Sequence, residues 1–180
     1  MIDKILEYNK QFVENKQYEE YVTSKYPDKK LAILSCMDTR LTELLPAALG
    51  VKNGDVKIIK NAGGVITDPF ESAVRSLLVA IFELGVENVL VIGHTDCGVQ
   101  HIDSEIMINH MRKRGISEEA LEMMHYCGID FEHWLSGFDR VESSVKETVE
   151  LLHHHPLIPK DIRSEGYVMD SETGKMEKIC

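Results

Sequence analysis

Apolar residues recur along the chain in distinct rhythms, and each rhythm predicts a different element. Across residues 2–20, Ile2, Ile5, Leu6, Phe12 and Val13 fall on one stripe with Lys and Glu between them, which predicts an amphipathic helix. A turn follows around Pro27-Asp28, and the rhythm then changes to short, continuous apolar runs. Residues 31–35, 56–60 and 88–92 read as buried strands, the second ended by Asn61-Ala62-Gly63-Gly64 and the third by Gly93-His94. Between the second and third strands lies a strong helix. Asp68 reads as its N-cap, Pro69 suits the first helical position, Glu71 stands as the capping-box acid, and Gly85 stops a body over 72–84. Strand, helix, strand in that order predicts a parallel βαβ unit with a right-handed crossover. Residues 99–155 read as several helices with polar breaks, the last ending at His153-His154-His155-Pro156. The tail predicts a strand at 166–170, a turn at 171–174 and a second strand at 175–179. No repeat, low-complexity tract or linker interrupts this order, so residues 1–180 are expected to form one α/β domain.

Composition narrows the class. A chain of 180 residues with 43% hydrophobic and 28% charged side chains can bury about two-thirds of its unfolded surface without disulfide staples. The excess of 30 acidic over 20 basic residues, a formal charge of −10, argues against nucleic acid as a partner, because such a binder carries a basic face. The longest apolar run near the middle, 77–82, is far short of the roughly 20 residues of a membrane span. The start, Met1-Ile2-Asp3-Lys4-Ile5-Leu6-Glu7, lacks a signal-peptide core, so a cytoplasmic location without membrane association is expected. In a reducing compartment, Cys36, Cys97, Cys127 and Cys180 are better read as ligands, catalytic groups or small hydrophobes than as disulfides.

The candidate chemistry sits where a parallel sheet places it, beyond the carboxyl ends of the strands. The first strand runs into Cys36-Met37-Asp38-Thr39-Arg40, and the third into His94-Thr95-Asp96-Cys97-Gly98. Parallel strands bring these ends to one edge, so Cys36, His94 and Cys97 can converge. Cysteine and histidine are preferred zinc ligands, and three protein ligands leave a fourth tetrahedral position open, the mark of a catalytic ion. A lone His-x-x-Cys is weak evidence; a third soft ligand at a matching strand end strengthens it. The plainer alternative, cysteine as a buried hydrophobe, suits Cys127 and Cys180 but leaves the polar neighbours of Cys36 unexplained.

Cys36-x-Asp38-x-Arg40, the Asn61–Gly64 turn and His94-Thr95-Asp96-Cys97-Gly98 together resemble the β-class carbonic anhydrases, most nearly their short archaeal-type branch. The likeness covers about residues 25–100 and returns at Pro156-Leu157-Ile158-Pro159 and the 167–179 hairpin. It implies a Rossmann-like, mainly parallel sheet flanked by helices, with an N-terminal helical arm at 1–24 that embraces a second copy in a homodimer or an assembly of dimers; a helix packed on its own chain is the plain alternative for that segment. It also implies one Zn²⁺ per chain on Cys36, His94 and Cys97. Reversible hydration of CO₂ to bicarbonate would then proceed through a zinc-bound hydroxide oriented by the Asp38–Arg40 dyad. Asp38 could instead swing onto the zinc and displace water; a simple surface ion pair is the plain alternative for the dyad. Gly63 and Gly64 are expected either to let the backbone approach the substrate or merely to serve a turn. Asp96 is expected either to brace backbone amides near His94 or to stand as a solvated turn residue. His101, His110, His125 and His133 offer no clear proton shuttle, and the 153–155 histidines suit a helix C-terminus better than a metal tract. Two other readings keep the same ligands: hydrolysis of a related small substrate such as carbon disulfide, and a non-catalytic zinc protein closed by Asp38. A redox nucleotide-binding fold ranks last, because no Gly-x-Gly-x-x-Gly follows the first strand and no Cys-x-x-Cys occurs.

Overall fold

The computed structural model describes residues 1–180. Four strands run parallel: β1 (Leu31–Cys36), β2 (Val56–Asn61), β3 (Asn88–His94) and β4 (Arg163–Met169). A short β5 (Met176–Lys178) returns antiparallel to β4, giving the order β2-β1-β3-β4-β5. Helices α1 (Ile2–Glu14), α2 (Leu41–Ala48), α3 (Ser72–Leu84), α4 (Ser104–Lys113), α5 (Glu118–Tyr126), α6 (Phe131–Leu135) and α7 (Val141–His154) complete the chain. The order makes β1 and β3 adjacent inner strands. The connection from β1 leads through α2 on one face to β2, and that from β3 leads through α7 on the other face to β4, so the β1 and β3 ends form the divergence point where open α/β sheets place their sites.

Strand periodicity divides the core between two faces. Ala32, Leu34, Val89, Val91 and Val168 pack with Val74 and Leu77 of α3 and with Val145, Val149 and Leu152 of α7. On the other face Ile33, Ile92 and Met169 pack with Leu41 and Leu45 of α2. Burial on both faces explains why β1 and β3 read as continuous apolar runs rather than alternating ones. Gly93 and Gly166 bring α7 onto the sheet; a Cβ on either would stand 2.8 or 2.6 Å from a Val145 methyl. A buried polar tie adds specificity, since the Thr148 hydroxyl accepts the Ile66 amide at 3.1 Å and fixes the loop after β2 against α7.

Several sequence expectations need correction. The stripe over 2–20 does not form one helix. α1 stops at Glu14, Lys16 adopts φ +55°, and a 3₁₀ segment continues over Gln17–Tyr21. A left-handed residue cannot continue a right-handed helix. Asp68 does not cap α3, which begins at Ser72 with Glu71 as the preceding cap residue. Instead Asp68 Oδ1 accepts the Phe70 amide at 2.7 Å and closes a local turn, which holds Pro69 outside the helix. The predicted stop at Gly85 is present, with φ +73°. In the tail the strand runs over Arg163–Met169 rather than 166–170 and pairs parallel with β3. The following turn is made by Asp170 Oδ1, which accepts the amides of Glu172 and Thr173. No helix is long and apolar enough to cross a membrane.

Candidate metal centre

Three of the residues singled out in the sequence meet at the edge where β1 and β3 end. Cys36 closes β1, His94 closes β3, and Cys97 follows in the turn after β3. Their ligand atoms all lie within 4.8 Å of one another, and all three residues are buried. The Cys36 and Cys97 sulfurs are 3.8 Å apart. Two bonds of about 2.3 Å meeting at a tetrahedral angle would set sulfurs about 3.8 Å apart, so the pair has the span a zinc ion requires.

His94 supplies a more demanding test. Its Nδ1 lies 2.8 Å from the Thr95 carbonyl, which can only accept, so Nδ1 carries the proton and Nε2 bears the lone pair. Nε2 is buried without a hydrogen-bond partner. A buried acceptor with no partner costs free energy unless something outside the chain satisfies it, and here it faces two cysteine sulfurs. A fixed tautomer with its free nitrogen aimed at two sulfurs is the donor set of a metal ligand. The Thr95 side chain is held in turn: its hydroxyl accepts the Ser171 amide at 3.0 Å and lies 3.2 Å from the Ser171 hydroxyl. The Thr95 amide donates to the Met169 carbonyl, so the β4–β5 turn braces the His94 loop.

The two thiols behave as one proton-sharing pair. Cys36 is pulled down to about 4 because the Cys97 thiol donates to its sulfur, and despite burial the Asp38 and Gly63 amides add to the pull. Cys97 is pushed up by giving its hydrogen to Cys36 and by burial, while the Val99 and Gln100 amides favour its anion. One proton therefore leaves readily and the second is held, until a cation takes its place.

Asp38 stands beside this cluster, with Oδ2 3.9 Å from His94 Nε2 and its side chain 15% exposed. Arg40 holds both of its oxygens: Nε donates to Oδ1 at 3.0 Å and Nη2 to Oδ2 at 2.8 Å, and the Arg40 amide adds a bond to Oδ1 at 2.9 Å. These bonds from Arg40 hold the Asp38 carboxyl down at about 2. Asp96 does not brace amides near His94 as expected. Its Oδ2 accepts from Arg40 Nη1 at 2.8 Å, and its own carbonyl accepts from Nη2 at 2.7 Å.

Gly63 and Gly64 sit against the cluster in different ways. Gly64 has φ +69°, and a Cβ there would lie 2.7 Å from the Cys36 nitrogen and 2.8 Å from the Ser35 carbonyl carbon. Gly63, at φ +85°, directs its amide to the Cys36 sulfur, and the space beside its α-carbon is walled by Phe138, Val65 and Val99. Sequence reasoning missed Phe138, Val65, Val99, Thr95 and Ser171. The first three are ordinary apolar residues whose neighbourhood exists only after folding, and the Thr95–Ser171 tie spans distant segments. The other histidines stay apart from the cluster. His101 is exposed, 3.7 Å from Asp139, and His110, His125 and His133 lie exposed on α4, α5 and α6. His154 ends α7 with Nδ1 on the Glu150 carbonyl, and buried His155 bonds the Pro69 carbonyl, so that run is not a metal tract. Cys127 and Cys180 are free and exposed.

Comparison with known proteins agrees with this geometry. The carbonic anhydrase family model matches residues 31–176. The Bacillus subtilis protein YtiB, provisionally named as a carbonic anhydrase, is 53% identical over 179 residues, 99% of this chain and 96% of its own length. A carbon disulfide hydrolase of Acidithiobacillus thiooxidans is 30% identical over 158 residues, 83% of this chain and 76% of its own. Among solved structures, the β-carbonic anhydrase isoform I of Trichomonas vaginalis superposes with a TM-score of 0.90 at 34% identity, covering 99% of this chain and 97% of that one.

Proposed function

Because the chain belongs to the β-carbonic anhydrase family, we propose that it hydrates CO₂ reversibly to bicarbonate and a proton, with one zinc ion held by Cys36, His94 and Cys97. The observation that carries this reading is the buried, unpartnered Nε2 of His94 facing two sulfurs 3.8 Å apart. Zinc in that position would supply a Lewis acid that lowers the pKa of water and makes it a nucleophile.

The chain's own residues do the rest. Asp38 Oδ2 accepts the hydrogen of the attacking oxygen and turns its lone pair towards the carbon of CO₂. Held ionised by Arg40, Asp38 takes no proton from the reaction and acts by orientation. Gly63, with Val65, Val99 and Phe138 around it, supplies the apolar wall that a small uncharged substrate needs; Gly64 serves the same edge by letting the loop close on β1. Attack forms the new C–O bond as one C=O π pair moves onto its oxygen, bicarbonate departs, and the proton lost from the next water passes to solvent buffer.

Arg40 also favours an open site over a closed structural one, because both Asp38 oxygens are already engaged. The likeness to carbon disulfide hydrolase supports a second reading in which the same residues act on that substrate. The thiolate pair suits a reducing compartment such as the cytoplasm. We assign residues 1–180 to one catalytic domain, with 1–24 as an arm that seats on a second copy. The support is that α1 buries none of its residues, leaving Ile2, Ile5 and Leu6 73%, 62% and 61% exposed. The test is turnover of CO₂ and of carbon disulfide by one zinc-assayed preparation before and after chelation. Metal-dependent CO₂ hydration is expected; hydrolysis of carbon disulfide alone would favour the second reading, and neither activity would refute both.

A further inference from the structure

The Asp38 carboxylate lies close enough to the ligand cluster to compete for the open metal position. What prevents this must be a hold on Arg40, since Arg40 is the residue that engages both Asp38 oxygens. The Arg40 guanidinium makes four bonds, and they divide evenly. Nε and Nη2 donate to the two oxygens of Asp38; Nη1 and Nη2 donate to the carboxylate and the carbonyl of Asp96. A guanidinium is a planar fork, so fixing one edge fixes the direction of the other. Arg40 is 38% exposed, and the Asp96 bonds are what keep its free edge from turning to solvent. Asp96 presents both acceptors to the same group from φ +54°, a left-handed conformation that aspartate tolerates better than most side chains. It directly precedes Cys97, so Arg40 ties the loop after β1 to the turn that joins His94 to Cys97.

We propose that Asp96 is a positioning residue that locks Arg40 onto Asp38 and so keeps the Asp38 carboxylate off the metal. The inference rests on the zinc reading above and goes beyond it by assigning the open state of the site to a third residue. Asp96 is 86% exposed on its side chain, so its ion pair adds little to folding. A merely stabilising role therefore predicts almost no phenotype, whereas a positioning role predicts a change at the metal.

Cobalt(II)-substituted protein reads that change without turnover. Its visible absorption reports coordination, and azide titrated at fixed pH reports how freely an outside anion enters the fourth position. Asp96→Gly keeps the backbone conformation accessible and removes the carboxylate; Asp96→Asn keeps an oxygen acceptor. Azide affinity should fall about threefold to tenfold in Asp96→Gly, the range expected for losing an exposed charged hydrogen bond. It should recover largely in Asp96→Asn. On an Asp38→Asn background, Asp96→Gly should change azide affinity no further, because the competing carboxylate is gone. Unchanged azide affinity in Asp96→Gly with full cobalt loading, or an effect that persists on the Asp38→Asn background, would overturn the proposal. Failure of the parent protein to show sulfur-to-cobalt charge-transfer absorption would instead refute the metal site itself, a separate and recognisable result.

Discussion

Gly64→Ala tests how tightly the fold holds Cys36, the proposed metal ligand, from behind. At φ +69° an alanine pays the left-handed penalty of about 1–2 kcal/mol wherever it occurs. At Gly64 there is a second cost, because the new Cβ would meet the Cys36 nitrogen at 2.7 Å and the Ser35 carbonyl carbon at 2.8 Å. Backbone in a central strand cannot rotate away as a side chain could, so overpacking adds about 1–3 kcal/mol. The sum is about 2–5 kcal/mol. Gly50→Ala is the matched control: its φ is +61°, and its Cβ would meet nothing within 4 Å, so only the first term of about 1–2 kcal/mol applies. Urea unfolding of the two variants isolates the contact. The strain falls on the Cys36 amide, so Gly64→Ala should also release zinc to a chelator faster than the parent, while Gly50→Ala should not. Equal destabilisation by the two variants, with equal zinc retention, would refute the reasoning.

Three further outcomes follow from the same coordinates. Thr148→Val, nearly isosteric, leaves the buried Ile66 amide without an acceptor and should cost about 1–3 kcal/mol in urea unfolding while leaving zinc content unchanged. Asp38→Asn leaves one oxygen acceptor where the carboxylate has two, so Arg40 and the attacking oxygen compete for it, and the turnover number for CO₂ should fall by about 10²-fold with zinc fully retained, as read by stopped flow and metal analysis. Glu165 is held down to about 2 by the Tyr167 hydroxyl, Arg163 and Lys178. Its unfolded value is roughly 4.3, so the unfolded chain binds more protons between these values and stability rises with pH there. That contribution is complete above about pH 5 and lost as pH falls towards 2; Glu165→Gln should flatten this acid limb in unfolding measured against pH.

The strands were legible because β1 and β3 are buried on both faces, which leaves an apolar run that no other element of that length explains. The cluster of Cys36, His94 and Cys97 was legible because strand ends carry chemistry and the residue types are those zinc prefers. The motif resemblance added the role proposed for Asp38 and Arg40, which spacing alone did not. Other features were hidden for physical reasons. Helix α2 contains Pro46, which reads as a breaker, yet its lost amide costs only one helical bond while Leu41 and Leu45 bury completely. Asp68 carries the chemistry of a helix cap but spends it on a local turn ahead of α3. The partnership of Asp96 with Arg40 and of Thr95 with Ser171 joins residues far apart in sequence, and no local pattern encodes such a contact.

Stopped-flow CO₂ hydration on protein of assayed zinc content, at neutral and moderately alkaline pH, tests the central claim most directly. Two thiolates cancel the charge of the ion, so water at this site should ionise above the roughly neutral pKa of a three-histidine site, and the rate should climb with pH. One zinc per chain with turnover that rises towards alkaline pH is the expected result. Full zinc occupancy without hydration at either pH would contradict the account.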